Sequence, residues 1–494
     1  MLYRLLLGLV LCGTVHAAPL PRIDLVVTPA WKGWSRPGRA IELDIRMSSD
    51  AATLTTLDLV AGHQSVHAEV DLQPGRVVRL HIPVSSAEKG VAVSVGPSAG
   101  PPAGPPAGPP QRRDIGTAQS ESPLLGVGLA TDDKVQLEGF HTIALTADDL
   151  PRNASSYSSI DALILDAPTL GALDQRQLGA LLAHAAGCGR IVVVVTDPHV
   201  QLVLDNARGC DGRALMTAAS LAQAMEMLKA SLATTMPTPL SLGGIGELVR
   251  PDQVAWNQVA LGLAVYFAAM ALTLLFFPTL PVLLLAPALA AAVALALLHA
   301  VPPSSRLVVW SEGEAGAHVA RYQAWQLFAG LVRTRTRVPI PPQLASTVQP
   351  CETSQVMRFD FDTSRGQATF AEFETRLFRQ VSLCFAGNFP AARALEIETR
   401  QNGVLDVRNA GTMGWPSGAL LARGLVHDLP ALGPGGRTTV GETPGRPIQD
   451  AAVRTATART QPGRVAALWT LELSGVADVP ANSKGWLLVS VPTP

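Results

Sequence analysis

From Gln253 to Ser305 the chain carries no Asp, Glu, Lys or Arg. A stretch of that length, with no polar face to interrupt it, is longer and more apolar than an ordinary core helix. One membrane span needs roughly 20 apolar residues, and 254–277 and 282–301 are each long enough. Between them, Pro278 and Pro281 remove backbone donors and turn the chain sharply. The pattern predicts a two-helix transmembrane hairpin, with Pro287 bending the second helix. Arg250 and Arg306 flank its outer ends while the turn holds no basic residue, so orientation must come from elsewhere.

The amino terminus supplies it. In MLYRLLLGLVLCGTVHAAPLP, Arg4 precedes an apolar run from Leu5 to Leu11, and Val15-His16-Ala17 offers a small-x-small cleavage site. Residues 1–17 read as a secretory signal peptide, and Leu11 is a poor neighbour for a lipidated Cys12. A hairpin that enters and leaves on one side places both large soluble parts outside the cytoplasm. Usage rich in Ala, Gly, Pro and Arg points to a bacterial chain, hence to the inner membrane with both parts in the periplasm. Hydrophobic residues make up 48% and charged residues 16%, and 494 residues allow three or four domains. With Lys+Arg 38 against Asp+Glu 39 there is no basic field to hold nucleic acid.

Without Cys12, Cys188 and Cys210 precede the apolar stretch and Cys351 and Cys384 follow it. These four are disulfide candidates, one pair per domain, or four buried thiols; spacing alone does not decide. No CxxC or CxxH pair occurs, so no metal is expected.

Residues 18–97 alternate apolar and polar positions, as in Ile41, Leu43 and Ile45 against Glu42, Asp44 and Arg46, which predicts a β-sandwich. AGPPAGPPAGPP at 99–110 has period four, which excludes collagen and reads as an extended spacer within a linker over 98–120. From Leu124 the period changes. LLGVGLA, HTIALT, IDALIL and RIVVVV are continuous apolar runs, as in strands of a parallel sheet covered on both faces. Asp174 caps an amphipathic segment carrying Leu178, Leu181, Leu182 and Ala185, and a second helix is expected near 214–232. Residues 121–241 thus read as a small α/β domain. Residues 305–494 read as a β-rich, immunoglobulin-like region. There Phe359 and Phe361 alternate with Asp360 and Asp362, Asn402-Gly403 signals a hairpin, and His427-Asp428 reads as a loop pair. The fold class is multidomain α+β: β-sandwich, parallel α/β domain, transmembrane hairpin and C-terminal β-sandwich region.

YSSIDALILDAPTLGALDQRQLGALLAHAAGCGRIVVVV at 157–195 resembles the glutamine amidotransferase-like domain of bacterial membrane proteins that also carry immunoglobulin-like β-sandwiches. GWSRPGR at 33–39 is similar to the opening of the sandwich that precedes that domain. The resemblance implies a catalytically silent domain of flavodoxin or class I amidotransferase type. It also implies assemblies with von Willebrand-type domain proteins and a MoxR-type ATPase. Catalytic relatives place a cysteine on a Gly-x-Cys-x-Gly elbow after a strand, whereas Cys188 precedes one. No catalytic residue is therefore assigned.

Asp132, Asp166, Asp197 and His199 follow apolar runs, at the carboxyl ends where α/β sheets bind ligands, and make a candidate ligand crevice. Each also suits a turn or a cap. Gly-rich phosphate-binding signatures are absent, so no cofactor is expected. Arg333, Arg335 and Arg337 fall on one face of a strand, there to meet an acidic partner or lipid headgroups, or simply to guard an edge. The resulting expectation is a non-enzymatic, membrane-anchored interaction scaffold whose partners are lipid and other proteins. A small-ligand sensor or transport accessory using the crevice is the first alternative, and a hydrolase or amidotransferase the second.

Overall fold

The computed structural model describes residues 21–85, 90–97, 110–130, 135–186, 189–195, 215–233, 264, 267, 268, 271, 275, 304–314, 319–329, 333–341, 348–351 and 355–375. It continues over 380–390, 395–400, 404–412, 414–422, 424–440, 450–460, 465–471 and 483–491. The expected signal peptide, the Pro-rich repeat up to residue 109 and the Asn402-Gly403 turn lie outside the described residues.

The first strands are β1 (Ile23–Pro29), β2 (Trp34–Ser35), β3 (Ala40–Ser49), β4 (Thr53–Ala61), β5 (Gln64–Leu72), β6 (Val78–Ser85), β7 (Val91–Pro97), β8 (Gln111–Ile115) and β9 (Ala118–Gln119). Alternation decides their facing. Ile41, Leu43, Ile45 and Met47 of β3 are wholly buried, as a period-two pattern demands when one face is covered. An antiparallel sheet of order β1-β3-β6 packs on a second sheet containing β5, β4, β7 and β8. Residues 111–115 thus form an edge strand on β7, where a linker was expected.

Next comes a parallel sheet: β10 (Leu124–Gly128), β11 (His141–Ala144), β12 (Ala162–Asp166), β13 (Ile191–Val194) and β14 (Leu215–Ala218), with helices α1 (Ala167–Gly171), α2 (Gln175–Ala186) and α3 (Leu221–Ala233). Its order is β11-β10-β12-β13-β14, with every neighbouring pair parallel. Separate apolar clusters cover its two faces. At Gly126 and Gly128 a Cβ would come within 2.8–2.9 Å of leucine methyls, which would have to shift to admit a side chain, so glycine suits the close cover at both positions.

The remaining strands are β15 (Ser304–Glu314), β16 (Val319–Ala329), β17 (Thr334–Pro339), β18 (Gln349–Pro350), β19 (Met357–Asp362), β20 (Gln367–Thr375), β21 (Gln380–Pro390), β22 (Leu395–Thr399), β23 (Leu405–Asn409), β24 (Gly418–Ala422), β25 (Leu425–Leu429), β26 (Arg437–Val440), β27 (Val465–Leu471) and β28 (Lys484–Val491), with helix α4 (Ala451–Arg459) between β26 and β27. They do not form a body of their own. β19 pairs in parallel with β5, Met357 to Gln64 through Phe361 to Ala68, and extends the second N-terminal sheet to β17-β20-β19-β5-β4-β7-β8. An eight-stranded sheet, β18-β21-β16-β15-β28-β27-β24-β25, adds Leu307, Phe328, Leu383 and Phe385 to the same core. Its other half packs on a small sheet of order β22-β23-β26 around Trp415 and Trp469. Helix α4 is fastened by Arg459, whose Nε and Nη2 donate to the Glu312 carboxylate at 2.6 and 2.8 Å. His427 and Asp428, expected in a loop, belong to β25.

The membrane expectation requires correction. Among the described residues no helix is long and apolar enough to cross a membrane. Within 254–301 only Ala264, Phe267, Ala268, Ala271 and Leu275 are described, all helical and exposed, and the rest of both segments lies outside the described residues. The two-helix hairpin, and with it the inner-membrane anchor and the periplasmic placement, is unsupported. Strands predominate in the described fold.

Cys351 and Cys384 form a disulfide, with Cα atoms 4.9 Å apart, that ties the two-residue strand β18 to β21. Closing a loop of 33 residues stabilises by about 3–4 kcal/mol in the chain-entropy account. A Cys351→Ser, Cys384→Ser variant is expected to lose about that much, read as a lower urea midpoint at unchanged m-value. Phe359 of β19 is 1% exposed in the shared core. Phe359→Ala should cost about 3–5 kcal/mol and should reduce hydrogen-exchange protection in β5 as well as β19, which checks the pairing directly.

Candidate functional site

The order β11-β10-β12 reverses between β10 and β12, and open parallel sheets bind ligands outside the carboxyl ends of the strands at such a point. Asp166 ends β12 there. Its Oδ1 accepts the Thr169 N–H at 2.8 Å, capping α1, and its Oδ2 accepts the Ala130 N–H at 2.5 Å from the chain leaving β10. The carboxylate therefore bridges the two strand ends. Asp132, Asp197 and His199 lie outside the described residues, so of the four expected side chains the structure places Asp166 alone. Cys188 and Cys210 lie outside them as well. Among the described residues no group of three or more His, Cys, Asp or Glu could hold a metal.

Arg333, which precedes β17, and the two arginines of β17 are engaged. Arg333 pairs with Glu374 and Arg335 with Glu372, while Arg337 reaches Asp360 at 2.6 Å and lies over the Phe370 ring at 4.3 Å. These are cross-strand ion pairs on the edge of the seven-stranded sheet, the arrangement that protects an edge.

A denser constellation sits where the N-terminal sandwich meets the parallel sheet. The turn between β1 and β2 carries Trp31 and Lys32 at φ 54° and 51°, followed by Gly33 at φ 85°. That left-handed path turns the Trp31 indole out of the sandwich and into the apolar cluster on one face of the parallel sheet, where it is fully buried. Its N–H donates to the Ser156 carbonyl at 3.0 Å, and its ring meets Tyr157 edge-on at 5.2 Å. Glu42, 2% exposed on β3, accepts the N–H groups of Arg152 at 3.0 Å and Asn153 at 2.8 Å, with His81 Nδ1 3.3 Å away. These donors open the 3₁₀ turn Ala154–Ser159, so a sandwich carboxylate caps a turn of the neighbouring unit.

GWSRPGR completes the joint. Arg36 donates to the Ser120 and Glu121 carbonyls, and Arg39 to the Ser158 carbonyl at 2.6 Å. Both face Asp161, at 3.5 and 3.4 Å, whose carboxylate also accepts the Leu124 N–H that starts β10. Ser159 Oγ donates to the Ala40 carbonyl at 2.5 Å. The sequence motif was legible as the opening of a sandwich, but its role as a clamp was not. The missed signal was AWKGW at 30–34, where two large aromatics flank a glycine without strand alternation.

The His184 ring of α2 stacks on Tyr157 with centroids 5.2 Å apart. Burial, with the Arg39 charge adding to it, pushes the imidazole down to about 4, and burial pushes the Tyr157 phenol upward. A small cavity beside the joint, about 20 Å³ and lined by residues including Gln64, Asn153 and Phe359, has room for about one water.

No family model matches the chain, and no curated protein does. Among solved structures it is similar to the yeast delta-COP-I mu-homology domain complexed with Dsl1 WxWxV peptide, at 8% identity, over 38% of this chain and 95% of that one, with a TM-score of 0.20. The same yeast domain alone gives 7% identity, the same coverage and a TM-score of 0.17.

The pH dependence follows from His184. Its folded value of about 4 lies below the ordinary 6.5, so folding favours the neutral ring. That stability is complete above pH 6.5 and is lost as pH falls from 6.5 towards 4, by on the order of 2–3 kcal/mol. Urea midpoints across that window should fall for the native chain. For His184→Phe, which keeps the stack on Tyr157, this part of the decline should be absent.

Proposed function

We propose that the chain is a non-enzymatic interaction scaffold: a sandwich and a parallel-sheet unit clamped together to present surfaces to other proteins. The observation that carries this reading is the use made of the carboxylates at the two places where chemistry would sit. Asp166 holds backbone N–H groups across the strand-order reversal, and Glu42 holds a turn across the joint. These side chains serve as structural acceptors of backbone N–H groups. The silent amidotransferase-like character implied by the resemblance supports the same reading. It makes von Willebrand-type domain proteins and a MoxR-type ATPase the first partners to try.

The outer face of the seven-stranded sheet presents Leu54 and Val60 of β4, 50% and 47% exposed, Leu54 opposite Asp71 and Val60 opposite Ser65 and Ala92. A photo-crosslinking residue placed at Val60 should trap a defined protein, and the adduct should vanish on Leu54→Asp with the fold intact by circular dichroism. Ammonia release from glutamine should stay at background. Glutamine turnover that disappears in Cys188→Ser would overturn the reading in favour of an amidotransferase.

A further inference from the structure

We propose that the joint between the N-terminal sandwich and the parallel sheet is a two-state latch, closed by the seated Trp31 indole and biased towards opening by the left-handed backbone that carries it. The inference stands independently of the scaffold reading.

Three observations converge. The first is backbone strain. Trp31 and Lys32 are the positive-φ residues other than glycine among those described, and they are adjacent, at φ 54°, ψ 27° and φ 51°, ψ 30°. A side chain in that region disfavours the conformation by roughly fivefold to thirtyfold per residue. Gly33 follows at φ 85°, where a Cβ would stand 3.1 Å from the Gly116 carbonyl, so the turn has no slack at its end.

The second is buried polarity. Ser35 Oγ, Ser156 Oγ and Tyr157 Oη are buried with no hydrogen-bond partner among the described residues, and all three belong to the segments that carry and receive the indole. Hydration on opening satisfies groups that the closed joint leaves unmet.

The third is the separateness of the two cores. The sandwich interior and the parallel-sheet interior are distinct clusters, and the residues that the β1–β2 turn contributes to the latter are Ala30 and Trp31, with Trp34 at its margin. Unseating the indole leaves the sandwich interior closed and the parallel strands paired, and it opens only the margin of the cluster that received the ring, so opening does not require unfolding either unit. Against these terms stand the burial of the indole, its bond to the Ser156 carbonyl, and the Glu42, Arg36 and Arg39 contacts. Opposing sets confined to one small joint are what a bistable element needs.

The joint carries its own reporter. The Arg152 and Asn153 N–H groups donate to Glu42, across the boundary, so their exchange with solvent follows separation of the two units. Hydrogen exchange on the full chain should compare these amides with those of β4 and β12, which lie inside each unit. Lys32→Gly removes a left-handed side chain and should slow exchange at Arg152 and Asn153 about fivefold. Trp31→Ala should accelerate it at least tenfold, with β4 unchanged and β12, which shares a cluster with Trp31 through Leu163 and Leu165, accelerated less. Unchanged or faster exchange in Lys32→Gly would overturn the latch, as would acceleration of β12 equal to that at Arg152 in Trp31→Ala. If Trp31→Ala does not fold, Lys32→Gly alone decides.

Discussion

The parallel pairing of β5 with β19 is the constraint on which the rest of the architecture depends. It joins residues 64–68 to residues 357–361 in the middle of a seven-stranded sheet. Bringing segments roughly 290 residues apart together costs about 5 kcal/mol in the logarithmic estimate of loop closure. What offsets it is apolar burial on the inner face: Phe359, Phe361 and Phe373 pack with Leu57, Val66 and Val70 in one core, each large side chain contributing about 1.5–3 kcal/mol. Once β19 is seated, the strands on either side of it in sequence are drawn in, and the eight-stranded sheet supplies Phe328 and Phe385 to the same interior.

The eight-stranded sheet is a shared wall. Alternate residues of its strands face different neighbours: Ala324 and Phe328 look into the first sandwich, while Trp325 and Leu327 look towards α4. Farther along the sheet, Leu420, Trp469 and Val489 close the second sandwich with the small sheet of β22, β23 and β26. Two sandwiches that read as separate in the chain are therefore mechanically continuous, and the parallel-sheet unit is held to the first of them by Trp31, Glu42 and the two arginines of GWSRPGR.

How much of this was legible in the sequence depended on the range of the interaction. The alternation of Ile41, Leu43 and Ile45, the four apolar runs now seen as β10 to β13, and the cap that Asp174 places on α2 through the Gln177 N–H at 2.8 Å are local, and periodicity carries them. Partner choice is not local. MRFDFD announces a strand with a buried face, but nothing in it names β5 as the neighbour. The same holds for the disulfide, since four cysteines allow three pairings and the 351–384 link follows from β18 lying beside β21. Trp31 was hidden for a different reason, because left-handed geometry at a tryptophan contradicts its intrinsic preference and only the receiving cluster over Gly126 explains it. Of the crevice residues the structure places Asp166, which caps a helix, and a carboxylate that caps a helix and one that meets a ligand look alike in sequence. The apolar run at 254–301 satisfied every compositional criterion for a hairpin, and the described helices do not bear that out.

The position of β28 has a consequence for synthesis. Lys484–Val491 is the last strand described, and it lies in the interior of the eight-stranded sheet, parallel to β15 on one side and antiparallel to β27 on the other. During translation at about 5–20 residues per second, β15 and its neighbours wait on one side and β27 and β24 on the other until that strand leaves the ribosome. The sheet cannot grow outward from a finished centre; it is completed by inserting its own middle. A chain interrupted before Lys484 would leave β15 and β27 with facing open edges, unpaired strand surfaces that invite association with other chains.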